Sequence, residues 1–173
     1  MIKDKIEWLN EVKGNYVCDA LHSQIIRTEK EVLDYELNVF FVTMKYIQND
    51  IDNYNYISDL QKKNKSKESN DYFDEQIDLL RDDVIDKCLL VDDFYSKDKL
   101  IKMYESAKGD CSRNVANIKK KLRYNINPSI VNELYNEQAH LDEINLSLDV
   151  LNGTYIEKYN LKDDSKKKSL KLK

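Results

Sequence analysis

The chain has 173 residues, of which 35% are charged and 41% hydrophobic, and its formal net charge is −4. Three glycines and one proline are too few for a Rossmann fold, a P-loop protein or a sheet with many tight turns. The composition therefore predicts an all-α fold, and the length corresponds to one domain. We expect an elongated, antiparallel helical bundle over residues 1–160, built on one long helix, and a basic, disordered tail over residues 161–173.

Targeting signals and disulfides are not indicated by the sequence. The N-terminal segment is charged and amphipathic, unlike a secretory signal, and no apolar run is long enough to span a bilayer. The cysteines Cys18, Cys88 and Cys111 are widely spaced and form no CxxC pair. We therefore expect a cytoplasmic protein with reduced thiols and no membrane association.

The longest helical pattern spans residues 15–60, which contain no glycine or proline. Before it, residues 2–13 predict a short amphipathic helix that ends at Gly14. The long helix would extend about 65–70 Å, which exceeds the diameter of a compact domain of this size. It must protrude, bend, or pair with two shorter helices in turn.

Apolar residues on this long helix follow four-three spacing. The main seam consists of Ile26, Leu33, Leu37, Phe40, Met44, Ile47, Ile51 and Tyr54. A second row beside it consists of Ile25, Val32, Val39 and Tyr46. A face this wide predicts burial by several neighbouring helices and makes a homodimer a further possibility.

The polar, basic segment 61–70 is interpreted as a loop because it contains no apolar residue. A third helix is expected from Asp71, with a buried row that consists of Phe73, Ile77, Leu80, Val84, Cys88 and Val91. Ser96 is a suitable N-cap, which places a break at 93–96. The pattern of residues 97–124 continues through Gly109 and predicts one uninterrupted helix.

The last long helix has the clearest boundaries in the sequence. Asn127 is a favoured N-cap and Pro128 a favoured first helical residue. Asn152 and Gly153 form a typical helix stop. A further turn is expected after Thr154.

Charge is distributed unevenly among the predicted helices. Residues 71–93 carry nine acidic and two basic side chains, and a helix would place every fourth residue in one row about 6 Å apart. The row consists of Asp74, Asp78, Asp82 and Asp86, with Asp71, Glu75 and Asp83 beside it. We predict that this face binds a protein partner with a basic surface. The alternative is a solvated face whose repulsion is relieved by the neighbouring basic helix.

Twelve tyrosines are many for a chain of this length. Tyrosine buries a large area and keeps a polar end, which suits interfaces as well as core boundaries. Tyr46 and Tyr54 lie on the apolar rows and are expected to pack internally. Tyr56 lies off the main seam and is predicted to be a further partner contact.

The helix 97–124 supports a competing hypothesis because it carries nine basic and three acidic side chains. Direct binding of RNA or DNA would use its basic patch, which consists of Arg113, Lys119, Lys120, Lys121 and Arg123. Against this hypothesis, the whole chain is acidic, and Tyr124 is the one aromatic residue near the patch that could stack on a base.

The two histidines of the chain are candidate metal ligands. His22 follows Asp19, and His140 follows Glu137, with the spacing of a carboxylate–histidine pair on one helix face. Two such motifs bind two irons in some bundles, but inward glutamates from two further helices are also needed and are not evident here. Cys18 and His22 are four residues apart, which also permits a metal pair.

Catalytic signatures such as GxSxG, a Walker motif or HExxH do not occur in the sequence. We therefore expect no metal site, no cofactor and no enzymatic activity. The sequence favours a non-enzymatic protein-binding module, interpreted as a phage- or virus-encoded inhibitor of a basic, nucleic-acid-handling partner. Direct nucleic-acid binding and a structural, oligomerising bundle are the alternatives.

Overall fold

The structure is a computed structural model that describes residues 2–15 and 19–158, with side chains described at 4–8, 10, 11 and 24–156. Within these ranges the chain is all-α, as predicted, and contains no strand. The helices are α1 (Ile2–Asn15), α2 (Asp19–Lys63), α3 (Lys67–Asp92), α4 (Lys97–Tyr124), α5 (Pro128–Leu151) and α6 (Thr154–Lys158). The predicted tail, 161–173, lies outside the described residues.

The long helix α2 is the element on which the bundle is built. It packs against α1 and α3 and, over a smaller area, against α4. α3 runs antiparallel to α2, because Gln61 Nε2 donates to Asp74 Oδ1 at 2.8 Å near one end, while Glu36 accepts hydrogen bonds from the residues that follow α3 at the other. The prediction of an all-α bundle that contains one long helix is confirmed, although α4 runs parallel and not antiparallel to that helix.

A second antiparallel hairpin is formed by α4 and α5. The Cys111 thiol of α4 lies 3.4 Å from the carbonyl oxygen of Glu137 on α5. α4 runs in the same direction as α2, because Glu36 contacts Ser96 and, further along both helices, Phe40 contacts Tyr104. α5 also packs on α3, and the short α6 packs on both of them.

The core lies where the two hairpins meet. Phe40 and Tyr104 make an edge-to-face contact with ring centroids 5.3 Å apart. The buried residues around this contact come from five helices, and they are Ile47, Ile51, Val84, Cys88, Val91, Leu100, Leu146, Val150, Leu151 and Tyr155. A smaller cluster of Cys111, Ile144 and Leu148 holds α4 and α5 together.

The buried face of α2 differs from the predicted seam in its first half. Phe40, Ile47 and Ile51 are buried as expected, but Ile26 is 54% exposed and Ile25 is buried in its place. Tyr46, from the second row, is 57% exposed. The two rows are adjacent on the helix, so the position of the covering helices decides which one is buried.

The predicted loop at 61–70 is wrong in length, because only residues 64–66 lie outside the helices. Lys, Gln and Glu favour helix, so their run indicates an exposed helical surface and not a loop. The turn is closed locally by Asn64, whose side chain donates to the Ser66 carbonyl oxygen at 3.0 Å and accepts from the Ser66 amide at 3.3 Å.

The remaining helix ends show which of the predicted capping residues act as caps. Gly14 does not end the first helix, which extends to Asn15. α4 continues through Gly109, as predicted. Asn127 Oδ1 accepts from the Ser129 amide at 2.9 Å and caps α5, and Gly153 has φ of 73°, the left-handed conformation that glycine allows at a helix end.

The turn between α3 and α4 is held by a residue of α2. Ser96 occupies the N-cap position, but its side chain makes no capping hydrogen bond. Instead, the buried Glu36 carboxylate accepts from the amides of Tyr95, at 2.9 Å, and Ser96, at 2.8 Å. A carboxylate at a helix N-terminus is favoured by the helix dipole, and both of its oxygens are satisfied here.

We predict that Glu36→Ala destabilises the protein by about 2–4 kcal/mol, because it leaves the buried Ser96 amide and the partly buried Tyr95 amide without an acceptor. Urea unfolding monitored by circular dichroism measures the loss. Asp34→Ala is the matched control, since Asp34 is an exposed acid on the same helix. Equal stability of the two variants would contradict a capping role for Glu36.

Candidate functional site

The aspartates of the predicted acidic row have different environments on α3. Asp74 accepts the hydrogen bond from Gln61, and Asp78 pairs at 2.8 Å with Arg81, which is buried. The remaining two members of the row, Asp82 and Asp86, are exposed. Half of the row therefore makes contacts within the molecule, and half faces solvent.

Four of the exposed carboxylates of α3 form one surface, which we call the acidic face and which consists of Asp71, Glu75, Asp82 and Asp86. Steps of four, seven and four residues keep these positions on one side of a helix. Two leucines, Leu79 and Leu89, lie on the same side with exposed fractions of 58% and 43%. The leucines add apolar area beside the carboxylates, and a protein interface combines these two kinds of group.

The sequence analysis did not predict Leu79 and Leu89 as exposed residues of this surface. It assigned only Leu80 among these leucines, and placed it in the buried row. Leu80 is only half-buried, whereas the buried row includes Arg81. The available signal was the position of Leu79 and Leu89 opposite Val84 and Cys88 on the helical wheel. Tyr72 and Leu90 are exposed at the edge of the acidic face.

Asp83 belongs to a different cluster, at the contact between α2 and α3. Its carboxylate pairs with Lys87, whose Nζ lies 3.8 Å from Asp50 Oδ2. Asp50 is buried, and this oxygen has no hydrogen-bond partner among the described residues. The repulsion on α3 is relieved mainly by its own cations Arg81 and Lys87. At its C-terminal end, Lys97 of α4 also pairs with Asp92 at 2.5 Å.

Burial raises the pKa of Asp50 to about 7, and its hydrogen bond to Asp83 adds to the increase. The hydrogen bonds from Asp50 and from Lys87 lower the pKa of Asp83. Below about pH 7 the Asp50 carboxyl group is therefore mostly protonated beside the ionised Asp83. This proton provides the donor that two adjacent carboxylates otherwise lack.

The predicted nucleic-acid-binding residues are all exposed on α4. Arg113 forms an ion pair with Asp110, and Lys119, Lys120, Lys121 and Arg123 lie on the last two turns. Tyr124 ends the helix with 92% of its side chain exposed. The structure thus places an aromatic ring beside a compact group of cations, on a different hairpin from the acidic face.

Tyr56 is 65% exposed on α2, as expected for a partner contact, but it lies on a different helix from the acidic face. His140 is exposed on α5. The side chains of Asp19 and His22 lie outside the described residues. Among the described residues, no group of three or more His, Cys, Asp or Glu side chains has the geometry of a metal site.

The two described cysteines are free and buried. Burial raises the pKa of Cys88 to about 12. Burial also raises the pKa of Cys111, and the nearby Glu137 carboxylate, 3.4 Å from the sulfur, raises it further. Both thiols are therefore protonated at neutral pH, which is the unreactive form.

A shallow groove of about 310 Å³ lies between α2, α4 and α5. Its walls are mainly apolar and include Phe41, Tyr104 and Ile144, while Lys45 and His140 lie at its rim. Lys45 Nζ is placed 4.5 Å from the centre of the Phe41 ring. The groove contains no buried pair of acid and base.

Comparison of the chain with protein-family models, with curated proteins and with solved structures gave no match. Within the ranges described, none of the helices combines the length and low charge required to cross a bilayer. The candidate function must therefore be argued from the surfaces themselves.

We predict that Asp50→Asn makes the protein more stable than the native chain at pH 8 and changes its stability little at pH 5. Protonation of Asp50 stabilises the folded state, because its pKa is raised from 3.8 to about 7. That contribution is complete below pH 3.8 and is lost as the pH rises through 7. Asparagine is neutral throughout and retains a donor for Asp83.

Urea unfolding at several pH values between 5 and 8 checks this prediction. The slope of unfolding free energy with pH should be shallower for Asp50→Asn, while the exposed control Asp59→Asn should follow the native chain. An equal loss of stability at every pH would show that Asp50 is ionised in the folded protein.

Proposed function

We propose that this chain is a non-enzymatic protein-binding module that engages a basic partner through the acidic face of α3. One observation carries the proposal: Leu79 and Leu89 are exposed among four exposed carboxylates. Apolar anchors provide binding energy once water is excluded, whereas the surrounding charges provide orientation and a fast association rate. The matching partner surface has apolar recesses bordered by lysine or arginine.

The narrower proposal is an inhibitor, of the kind that a phage or virus would encode, acting on a protein that handles nucleic acid. Asp82 and Asp86 are one helical turn apart, about 6 Å along the axis. Fixed carboxylates at this spacing place negative charge where such a partner holds phosphates. The leucines then add contacts that nucleic acid does not make, which favours the protein over the nucleic acid in competition for the same surface.

The test is affinity capture from a lysate treated with nuclease, with quantitative identification of the retained proteins. We expect the native chain to retain a specific basic protein, and the double variant Asp82→Lys, Asp86→Lys to lose at least about 90% of it, because two contacts become repulsive. Leu89→Ser should weaken capture without a change in charge. The control Glu105→Lys, Glu133→Lys makes the same change in net charge on α4 and α5, where both glutamates are exposed.

Retention of the same protein by the α3 double variant would overturn the proposal. Equal loss in the control variant would show that capture depends on net charge alone. Either result would show that the acidic face is not a specific binding surface.

Direct nucleic-acid binding is a second candidate function, supported by Tyr124, whose ring is 92% exposed next to Lys121 and Arg123. Single-stranded nucleic acid is bound by such a combination of an aromatic stacking platform and cations on the backbone. This candidate uses α4 and leaves the acidic face free.

If α4 binds single-stranded RNA or DNA, Lys120→Glu with Lys121→Glu should abolish binding, and Tyr124→Ala should weaken it roughly 5- to 100-fold through loss of stacking. Fluorescence anisotropy of a labelled oligonucleotide at several salt concentrations measures both effects. The affinity of the native chain should fall with salt, because bound cations release counterions from the backbone. Unchanged binding by the lysine variant would exclude this surface.

A further inference from the structure

The turns of the two hairpins lie at the same end of the molecule. α2 and α4 run in the same direction, and each is followed by an antiparallel helix. The α2–α3 turn and the α4–α5 turn therefore both lie at the end opposite the α3–α4 turn. We call this the turn end of the bundle, and it consists of residues 60–67 and 118–132.

The turn end is basic, although the whole chain is acidic. Its two segments contain eight lysine or arginine side chains and no aspartate or glutamate. Four exposed lysines belong to residues 60–67, and the exposed Lys119, Lys120, Lys121 and Arg123 belong to residues 118–132. Lys121 shares a polar recess with Glu133 and Glu137. Within the part of the chain that the structure describes, no ion pair is found for the other seven cations.

The α4–α5 turn also carries an apolar tip. Among the described residues, Tyr124 and Ile126 have the most exposed large apolar side chains, with exposed fractions of 92% and 87%. Tyr124 is the last residue of α4, and Ile126 lies in the turn before Pro128, the first residue of α5. Val131 follows on the first turn of α5 and is 48% exposed. Apolar side chains thus lie at the furthest point of the hairpin, with cations directly behind them.

We propose that the turn end binds the surface of a bilayer that contains anionic phospholipids. Ile126 and Tyr124 insert between the headgroups, and the surrounding cations contact the lipid phosphates. Clusters of four to eight lysine or arginine residues bind such surfaces, and tyrosine suits the boundary between headgroups and acyl chains. The expectation of no membrane association rests on the lack of a membrane-crossing run, and contact with one bilayer surface needs no such run.

The dimensions of the tip fit this contact. Lys119 is five residues from the end of α4, which corresponds to about 8 Å along the axis. Apolar side chains of a surface-bound segment enter the headgroup boundary by about 5–10 Å. Insertion of Ile126 therefore brings the whole basic turn of α4 to the headgroups, and the long lysine and arginine side chains extend toward them.

A flat anionic surface fits the turn end better than a strand of nucleic acid does. Half of the cations lie on the α2–α3 turn, on a different hairpin from Tyr124, and a bilayer contacts both turns at once. Ile126 and Val131 are aliphatic, whereas single strands are bound by stacking of their bases on aromatic rings. Hydrocarbon beneath the headgroups is the environment that accommodates aliphatic side chains.

Acidic residues behind the turn end do not reverse its charge. Those within about 10 Å along the helix axes, or in the recess beside Lys121, are Asp59, Glu68, Asp71, Asp74, Glu133 and Glu137. The eight cations outnumber these six acids and lie closer to the tips of the turns. Asp82 is 15 residues beyond Lys67, about 22 Å along α3, and charges at that separation are largely screened at about 0.1 M salt.

Co-sedimentation of the full chain with lipid vesicles tests the proposal. We expect binding to phosphatidylcholine vesicles that contain phosphatidylserine, no binding to phosphatidylcholine alone, and weaker binding as salt is added. Lys119→Gln with Lys120→Gln should weaken binding about 25-fold, because each lysine at such a surface contributes about 5-fold. The control Lys99→Gln with Lys102→Gln removes two exposed charges from the other end of α4 and should bind like the native chain.

The α2–α3 turn is tested in the same assay. Lys63→Gln with Lys65→Gln should also weaken binding about 25-fold, because both turns contact one surface. Binding that this variant leaves unchanged would show that the flat-surface arrangement is wrong.

Ile126 distinguishes insertion from attraction by charge alone. Ile126→Ser keeps the charge and should weaken binding at least about 10-fold through lost apolar burial, while the exposed control Met103→Ser should not. Tyr124→Ser replaces Ile126→Ser if circular dichroism shows that variant to be unfolded. The emission of Ile126→Trp should shift to the blue with phosphatidylserine vesicles, and that of the native chain, whose Trp8 lies on α1, should not.

A native chain that does not bind phosphatidylserine vesicles would overturn the proposal, as would unchanged binding by Ile126→Ser or by the Lys119, Lys120 variant. If the native chain binds the labelled oligonucleotide and no vesicle, the turn end is a nucleic-acid surface and the bilayer proposal fails. Partner capture by the acidic face is tested with Asp82, Asp86 and Leu89, so the failure of one proposal is distinguishable from that of the other.

Discussion

The Glu36 carboxylate is the interaction that determines how the two hairpins are joined. It lies on α2, yet it accepts hydrogen bonds from the two amides that precede α4. α3 must therefore end level with Glu36, and α4 must begin there. Phe40 follows one turn further along α2 and meets Tyr104, which places the hydrophobic core at the junction. Removal of the two amides would leave a buried charge without compensation, so no other placement of this turn is equally favourable.

The contact between α2 and α3 contains a polar row as well as an apolar one. Glu36, Thr43 and Asp50 are spaced by sevens, and all three are buried. Each has a different partner. Glu36 accepts from the amides of the turn, Thr43 donates to the carbonyl oxygen of Val39 at 2.7 Å, and Asp50 lies against Asp83 and Lys87. A shift of α3 by one turn would break two of these three arrangements. The polar row thus provides register specificity, which hydrophobic burial alone does not.

The exterior of the bundle carries three surfaces of different chemistry. The acidic face of α3 combines carboxylates with Leu79 and Leu89, one side of α2 exposes Tyr35, Val42, Tyr46 and Tyr56, and the end of α4 is basic. These surfaces lie on separate helices, while the described thiols are buried and protonated. A bundle of this kind presents surfaces for association, and its proposed function follows from those surfaces and not from the fold class.

The sequence by itself determined the helical class, the existence of the long helix and most of the helix ends. Asn127 with Pro128, and Asn152 with Gly153, are local signals, because capping and left-handed backbone depend on residues next to one another in the chain. The same locality explains the wrong loop at 61–70. A run without apolar residues indicates that its side chains are exposed to solvent. Side chains are exposed both on a solvated helix and in a turn, so the run does not distinguish the two.

The tertiary structure decided which of two adjacent rows of α2 is buried, which carboxylates remain free, and which leucines are exposed among them. In the sequence, Asp74 and Asp83 cannot be distinguished from Asp82 and Asp86. In the structure, Asp74 accepts a hydrogen bond from Gln61, and Asp83 contacts Asp50 and Lys87. The contacts with Gln61 and Asp50 join residues on different helices, and their formation depends on the rotation of each helix about its axis. Periodicity fixes the faces of a helix relative to one another, whereas only packing against neighbours fixes which face points inward.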